Sequence, residues 1–199
     1  MLRRISIHLI FLFTVSSFFC AFAKTDIAII TNQEANIVDI IDLKKKKKVS
    51  EVQVGEKPAG IFIDKLNKIF FTSNPGTNNI SMYRLKKKQH TFLKSGKSPM
   101  GIQLYPRKNL LLVSNWFENK ISVVDINKNQ ILSRIDVGNS PAGIFLSDDE
   151  KLFVAIKGEN IVTVIDFLTQ KKIKDIDVGK APYGVFSNKE TALLFVTNV

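Results

Sequence analysis

Cysteine is almost missing from this sequence: its 199 residues hold one, Cys20, in an apolar N-terminal stretch expected to be removed. The exported chain then has no disulfide, no thiolate nucleophile and no cysteine metal ligand. Histidine is nearly as scarce, with His8 in the same stretch and His90 alone beyond it. A zinc site takes three or four ligands and a haem at least one well-placed axial one. His90 reads as a surface histidine beginning an outer strand, and no metal or other cofactor is expected on these residues. Also absent are a G-x-S-x-G elbow, an H-E-x-x-H pair and a phosphate-binding glycine loop, so no catalytic residue is assigned. Asp148, Asp149 and Glu150 form an acidic turn, but calcium takes more oxygens than that. After Lys24 no apolar run is long enough to span a bilayer, and no stretch of ten residues carries a 3.6-residue period.

The N-terminus has the layout of an export signal. Arg3 and Arg4 precede the apolar run Ile5 to Phe19, and Ala21-Phe22-Ala23 ends it as an A-x-A cleavage site. The expected cut falls after Ala23, placing residues 24–199 in the periplasm or outside the cell. An uncleaved anchor is the rival reading, since Ile5 to Ala23 is 19 residues and about 20 span a bilayer. Acylation of Cys20 is disfavoured by the bulky Phe19 before it. Removing Arg3 and Arg4 leaves 27 basic and 18 acidic residues, a charge of +9. Such a balance raises nucleic acid or an anionic surface as partners.

What the sequence has in quantity is repetition. Gly-x-x-Pro-x-Gly starts at Gly55, Gly96, Gly138 and Gly179, with its prolines Pro58, Pro99, Pro141 and Pro182 spaced 41, 42 and 41 residues apart. Asn32, Asn74, Asn115, Ile156 and Asn198 keep the same beat, as do Asp42, Arg84, Asp125 and Asp166. A period near forty residues signals a repeat architecture. In the copy from Gly138 to Val178, apolar runs fall at 144–146, 151–156, 161–167 and 172–178, and Val162 to Ile165 are β-branched. Four short antiparallel strands per repeat describe one β-propeller blade.

Within such a blade the first glycine is expected at positive φ, and proline sets the crossing to the next blade. The second glycine is expected where backbones crowd the axis. The asparagine after the second strand is expected to make an Asx-turn or adopt left-handed φ/ψ. The recurring aspartates are expected to be scaffold.

Phe195-Val196-Thr197-Asn198, with looser copies at Ile29 to Asn32, Phe71 to Asn74 and Leu112 to Asn115, resembles the motif of the YVTN β-propeller repeat family. Val-Gly-x-x-Pro-x-Gly and Val164-Ile165-Asp166 match its consensus too, over roughly Asp26 to Val199. The resemblance implies an exported or cell-surface propeller, usually of seven blades. Relatives of that architecture include lactonases and the haem-binding propeller of nitrite reductases. One copy departs, with Ala155-Ile156 replacing Thr-Asn, and its loop is expected to turn differently.

With strands named a to d from the axis outward, the chain reads b-c-d, three whole blades, then a-b. That is 17 strands, an expected incomplete ring of about four blades forming the N-terminal part of a longer propeller; a distorted four-bladed ring is the alternative. The d–a and b–c connections share one face, the a–b and c–d turns the other. Trp116 and Phe117 in a b–c loop, with Met100 and Tyr183 in d–a loops, are the candidate contacts for a protein or small-molecule ligand. Lys44 to Lys48, Lys86 to Lys88 and Lys171-Lys172 fall on the opposite rim, either as a basic face for lipid headgroups or cell-wall polymer or as solvated hairpin tips. No aromatic residue interleaves these runs, so nucleic acid is not expected. Two function classes remain: an exported non-enzymatic binding or scaffold module, or an enzyme or haem- or quinone-associated redox module whose ligands lie in further blades.

Overall fold

The computed structural model describes residues 26–188 and 193–199. The expected leader, its cut after Ala23 included, lies outside them. Runs of β-branched and aromatic residues extend into short strands, and each sheet joins consecutive strands in antiparallel order. The first sheet holds β1 (Ile27–Asn32), β2 (Ile37–Asp42) and β3 (Lys47–Gln53). The second holds β4 (Ile61–Asp64), β5 (Ile69–Asn74), β6 (Asn79–Arg84) and β7 (Gln89–Lys94). The third comprises β8 (Pro99–Tyr105), β9 (Leu110–Asn115), β10 (Lys120–Asp125) and β11 (Gln130–Asp136). The fourth comprises β12 (Pro141–Leu146), β13 (Lys151–Ile156), β14 (Ile161–Asp166) and β15 (Lys171–Asp177). β16 (Pro182–Asn188) and β17 (Leu193–Asn198) form the fifth. Among the described residues the one helical feature is a 3-10 turn at Pro106–Lys108.

Pro99, Pro141 and Pro182 each open an innermost strand, so the sheet boundaries follow the proline rhythm. The core lies between sheets rather than within them. Val38, Ile40 and Val52 of the first pack on Phe70 of the second. The next residue, Phe71, points the other way and packs with Ile102, Leu104 and Val113 of the third. Leu111 joins that cluster while Leu112 packs with Leu152 and Val154 of the fourth. A strand buried on both faces loses polar alternation. That is why β9 reads as unbroken Leu110-Leu111-Leu112-Val113.

The two glycines of each frame serve one physical end, close approach. A Cβ on Gly101 would sit 2.5 Å from the Ala142 carbonyl oxygen, and one on Gly143 2.6 Å from that of Tyr183. Contrary to expectation, the first glycine does not take positive φ, and no described glycine does. A Cβ on Gly96 would meet the Asn115 side chain at 2.5 Å, and one on Gly179 the Asn198 side chain at 2.7 Å. Positive φ falls instead on the residues before the prolines, Lys57, Ser98, Ser140 and Ala181. Each of these is held by an asparagine from the preceding sheet. Their backbone N–H groups donate to Oδ1 of Asn36 (2.9 Å), Asn78 (2.7 Å), Asn119 (3.2 Å) and Asn160 (2.8 Å).

The asparagines ending the second strands follow expectation only in part. Asn32 makes the Asx-type bond, accepting from the Ala35 N–H. Asn74 and Asn115 are fully buried and tie elements together instead. Asn115 Oδ1 accepts from the Gly96 N–H (3.0 Å), and its Nδ2 donates to Ser122 Oγ (2.8 Å). Left-handed φ belongs to Asn36, Asn78, Asn119 and Asn160, which close the b–c turns. Asp42, Asp125 and Asp166 cap c–d turns by accepting backbone N–H bonds, a scaffold duty.

The departing copy does not turn differently. Lys157 and Gly158 donate to the Ser140 and Asn139 carbonyls, as Trp116 and Phe117 donate to those of Ser98 and Lys97. The backbone turn is set by its own four residues, and Ile156 fills the asparagine's place with apolar contact in the core. What this copy lacks is a hydroxyl. Ser73 Oγ accepts from the Gly60 N–H (2.8 Å) and donates to the Met100 carbonyl (2.7 Å), joining the second sheet to the third. Ser114 repeats the pattern between Gly101 and Ala142. Ala155 occupies the same place facing Gly143 and Tyr183. Ala155→Ser is therefore expected to add about 1 kcal/mol of stability, raising the melting temperature by roughly 2–4 °C. Ser114→Ala should lower stability by about 1–3 kcal/mol because two buried partners lose their bond. Paired thermal melts check both, and unchanged midpoints would show that the hydroxyl link carries no weight.

Candidate functional site

The d–a connections and b–c turns lie together on one rim, as the bonds from Trp116 to Ser98 and from Lys157 to Ser140 require. Trp116 opens the b–c turn of the third sheet and is half-buried. Its ring centroid lies 6.4 Å from that of Tyr183, at an interplanar angle of 54°. Tyr183 belongs to the fifth sheet, so this contact passes over the fourth, whose matching residue is the small Ala142. Two rings that meet across an intervening blade lie toward the axis rather than the perimeter. The Lys157 ammonium, from the b–c turn of the fourth sheet, sits 5.2 Å from the Trp116 centroid, within cation–π range. Partial desolvation pushes the Tyr183 phenol above its ordinary pKa, and the neutral hydroxyl can donate a proton.

Of the four residues expected here, Trp116 and Tyr183 are brought together. Phe117 projects into solvent, 74 % exposed. Met100 and Tyr183 are not in d–a loops; each is the second residue of an innermost strand, because pairing of β8 and β16 begins at the proline. Lys157 was missed, although it stands 41 residues after Trp116, at the same repeat position.

The opposite rim differs in detail from its sequence reading. Lys44 to Lys46 and Lys86 to Lys88 lie in c–d turns, but Lys47, Lys48, Lys171 and Lys172 already belong to the outermost strands β3 and β15. Part of the charge is locally matched. Lys48 pairs with Asp39 (3.2 Å) and Glu51 (2.9 Å), Lys172 with Asp175 (2.8 Å) and Lys45 with Asp42 (3.7 Å). Those contacts raise the Lys48 and Lys172 pKa values.

The acidic turn at 148–150 belongs to a–b connections that frame a cavity of about 1030 Å³ on this rim. Phe62, Gln103, Phe145 and Phe153 are among its lining residues. Glu150 accepts bonds from the Tyr105 hydroxyl and from Arg107, both at 2.6 Å. The carboxylate holds the Tyr105 phenol above its usual pKa. Lys151 and Ser147 hold Asp149 below the ordinary carboxylate range. The sequence signal for this cavity was available: Phe62, Gln103 and Phe145 each stand two residues after the second glycine of their frame.

His90 does not suit a haem or metal at the channel. It sits half-buried on the outermost strand β7, 4.5 Å from the Phe92 ring and 6.4 Å from Tyr83 by centroids, and burial lowers its pKa. Among the described residues no three His, Cys, Asp or Glu side chains group to hold a metal, and no helix is long and apolar enough to cross a membrane.

Antiparallel sheets of consecutive strands, with cores packed between neighbouring sheets, define a β-propeller of the repeat class. The chain belongs to the YNCE-like β-propeller family, whose description matches residues 15–192, and is a repeat protein of the YVTN type. Solved structures share the fold. A streptogramin B lyase superposes with a TM-score of 0.74 at 20 % identity, covering 86 % of this chain and 58 % of its own. The virginiamycin B lyase of Staphylococcus aureus gives 0.74 at 18 %, covering 88 % and 61 %. The hydrazine synthase of Kuenenia stuttgartiensis gives 0.70 at 20 %, covering 81 % and 48 %. The chain thus spans about half to three-fifths of these structures. No curated protein matches the sequence.

Proposed function

We propose that this protein is an exported, non-enzymatic β-propeller that binds a ligand over the mouth of its channel at Trp116 and Tyr183. The observation that carries this reading is the ring contact across the fourth sheet, with Lys157 beside it. Large rigid rings with polar handles are favoured for recognition. A planar or apolar group of a small molecule, polymer or protein would lie on the rings, and an acidic function would face the Lys157 ammonium. Phe117, exposed on the same turn, extends the surface.

Trp116 is the sole tryptophan, so intrinsic fluorescence reports on this site alone. Titration with benzoate and phenyl phosphate is expected to change the emission saturably. By calorimetry, Trp116→Ala should weaken binding at least about tenfold, and Lys157→Gln should weaken the anions selectively. Equal binding by Trp116→Ala, with its fold verified by circular dichroism, would refute the site. Export has its own check: the mature protein should carry Lys24 as its first residue by intact mass, whereas a mass retaining residues 1–23 would support a membrane anchor.

A second reading draws on neighbours whose names denote a lyase and a synthase. It makes this chain part of an enzyme or a haem- or quinone-bearing redox module. A Soret or quinone absorption band in the purified protein would favour it over a binding module. Contact of the Lys44 to Lys48 rim with an anionic surface remains a subsidiary proposal; vesicle co-sedimentation independent of anionic lipid content would remove it.

A further inference from the structure

The cavity at the a–b mouth has a composition at odds with the rest of the chain. The whole sequence carries 29 basic and 18 acidic residues. Here, among the described residues, the balance reverses: Asp64, Asp148, Asp149 and Glu150 line the space with Lys65 and Arg107, and Lys151 pairs with Asp149 at 2.7 Å. Arg107 is already engaged by Glu150 at 2.6 Å. The described lining of this mouth thus holds more carboxylates than cations, in a strongly positive protein.

Its floor is aromatic. Phe145 and Phe153 face each other across the β12–β13 pair, with centroids 6.3 Å apart and planes 38° apart. Both are half-buried, so part of each ring faces the space. Phe62 lines it from the second sheet. The faces of phenyl rings carry negative partial charge and attract cations.

One residue breaks the pattern. At the repeat position held by Phe62, Phe145 and Phe186, the third sheet has Gln103. Its Nε2 donates one N–H to the Leu104 carbonyl at 3.3 Å, and its amide oxygen, with no bond to another described residue, can accept from a ligand. A carbonyl oxygen accepts an N–H proton.

Aromatic faces, an amide acceptor and a surplus of carboxylates select the same kind of guest. We propose that this cavity binds a small organic ammonium ion with an aromatic or alkyl body. The body lies on Phe62, Phe145 and Phe153, and the charged N–H group faces Gln103 and the acidic rim. A bare divalent cation would use the carboxylates of the rim but leave the phenyl faces without a guest. The volume of about 1030 Å³ accommodates an organic ligand of ordinary size. This site lies on the opposite face from Trp116 and stands independently of the function proposed there.

Isothermal titration calorimetry with phenethylammonium, its anionic analogue 3-phenylpropionate and neutral 2-phenylethanol tests the proposal. The cation is expected to bind at least about tenfold more tightly than either analogue. Binding should leave Trp116 emission unchanged and fall about tenfold in Phe145→Ala. Gln103→Leu fills the same space without the acceptor; it should weaken phenethylammonium but not its N-trimethyl derivative, which has no N–H. Circular dichroism verifies the fold of each variant, and Gln103→Leu carries the test should Phe145→Ala fail to fold. Equal binding of cation and anion would overturn the proposal, as would no cation binding, or affinity unmoved by a folded variant.

Discussion

Gly101→Ala is expected to cost about 3 kcal/mol or more, among the largest losses a single methyl group can cause here. The added Cβ would lie 2.5 Å from the Ala142 carbonyl oxygen, 3.0 Å from the Ile144 nitrogen and 3.1 Å from the Gly143 Cα. All three are backbone atoms of the next sheet, so no side-chain rotation relieves the clash. The innermost strands must separate, and the core packed behind them opens. Gly158→Ala is the milder comparison, since its Cβ would meet the exposed Asn139 side chain at 2.9 Å and one backbone atom, the Asn139 carbonyl oxygen, at 3.0 Å. Urea titrations should show a large drop in midpoint for the first variant and a smaller one for the second. Equal drops would mean that crowding at the axis is not what the second glycine relieves.

Asn115→Ala should be nearly as damaging, at about 2–4 kcal/mol. The side chain is fully buried. Its oxygen accepts from the Gly96 N–H at 3.0 Å and from Ser95 Oγ at 3.1 Å, and its nitrogen donates to Ser122 Oγ at 2.8 Å. Truncation leaves two donors and an acceptor in a space too enclosed for free hydration, and each orphan costs about 1–3 kcal/mol. The fourth sheet shows the alternative solution, with Ile156 and Thr163 where the third has Asn115 and Ser122. Asn115→Ile combined with Ser122→Thr should therefore be more stable than the sum of the single losses predicts. Chemical denaturation of the four-member cycle measures this, and strict additivity would show that the two positions do not act together.

The period, the strand count and the sheet boundaries were legible in the sequence because each blade repeats the same burial pattern. The purpose of the first glycine was not. Glycine serves both left-handed φ and close approach, and only the Asn115 side chain beside Gly96 tells them apart. Left-handed φ fell to lysine, serine, glutamate, glutamine, alanine and asparagine, at positions that keep the repeat's period but in residue types that give no common signal. The proposed Trp116 site was half legible. A lone tryptophan on a turn is visible in one dimension, whereas its meeting with Tyr183 over Ala142 depends on radial geometry. The acidic cavity escaped because the repeat marks Phe62, Gln103 and Phe145 as equivalent without showing that they and the a–b turns after them face one shared space.

The asparagines at 36, 78, 119 and 160 have an architectural consequence. Each reaches about twenty residues ahead to grip the backbone before the next proline. Every repeat thus carries both halves of a latch, one to fasten its successor and one to be fastened by its predecessor. A copy inserted in frame would arrive with its own fittings, so a gene of this kind can lengthen or shorten by whole units without any junction being invented.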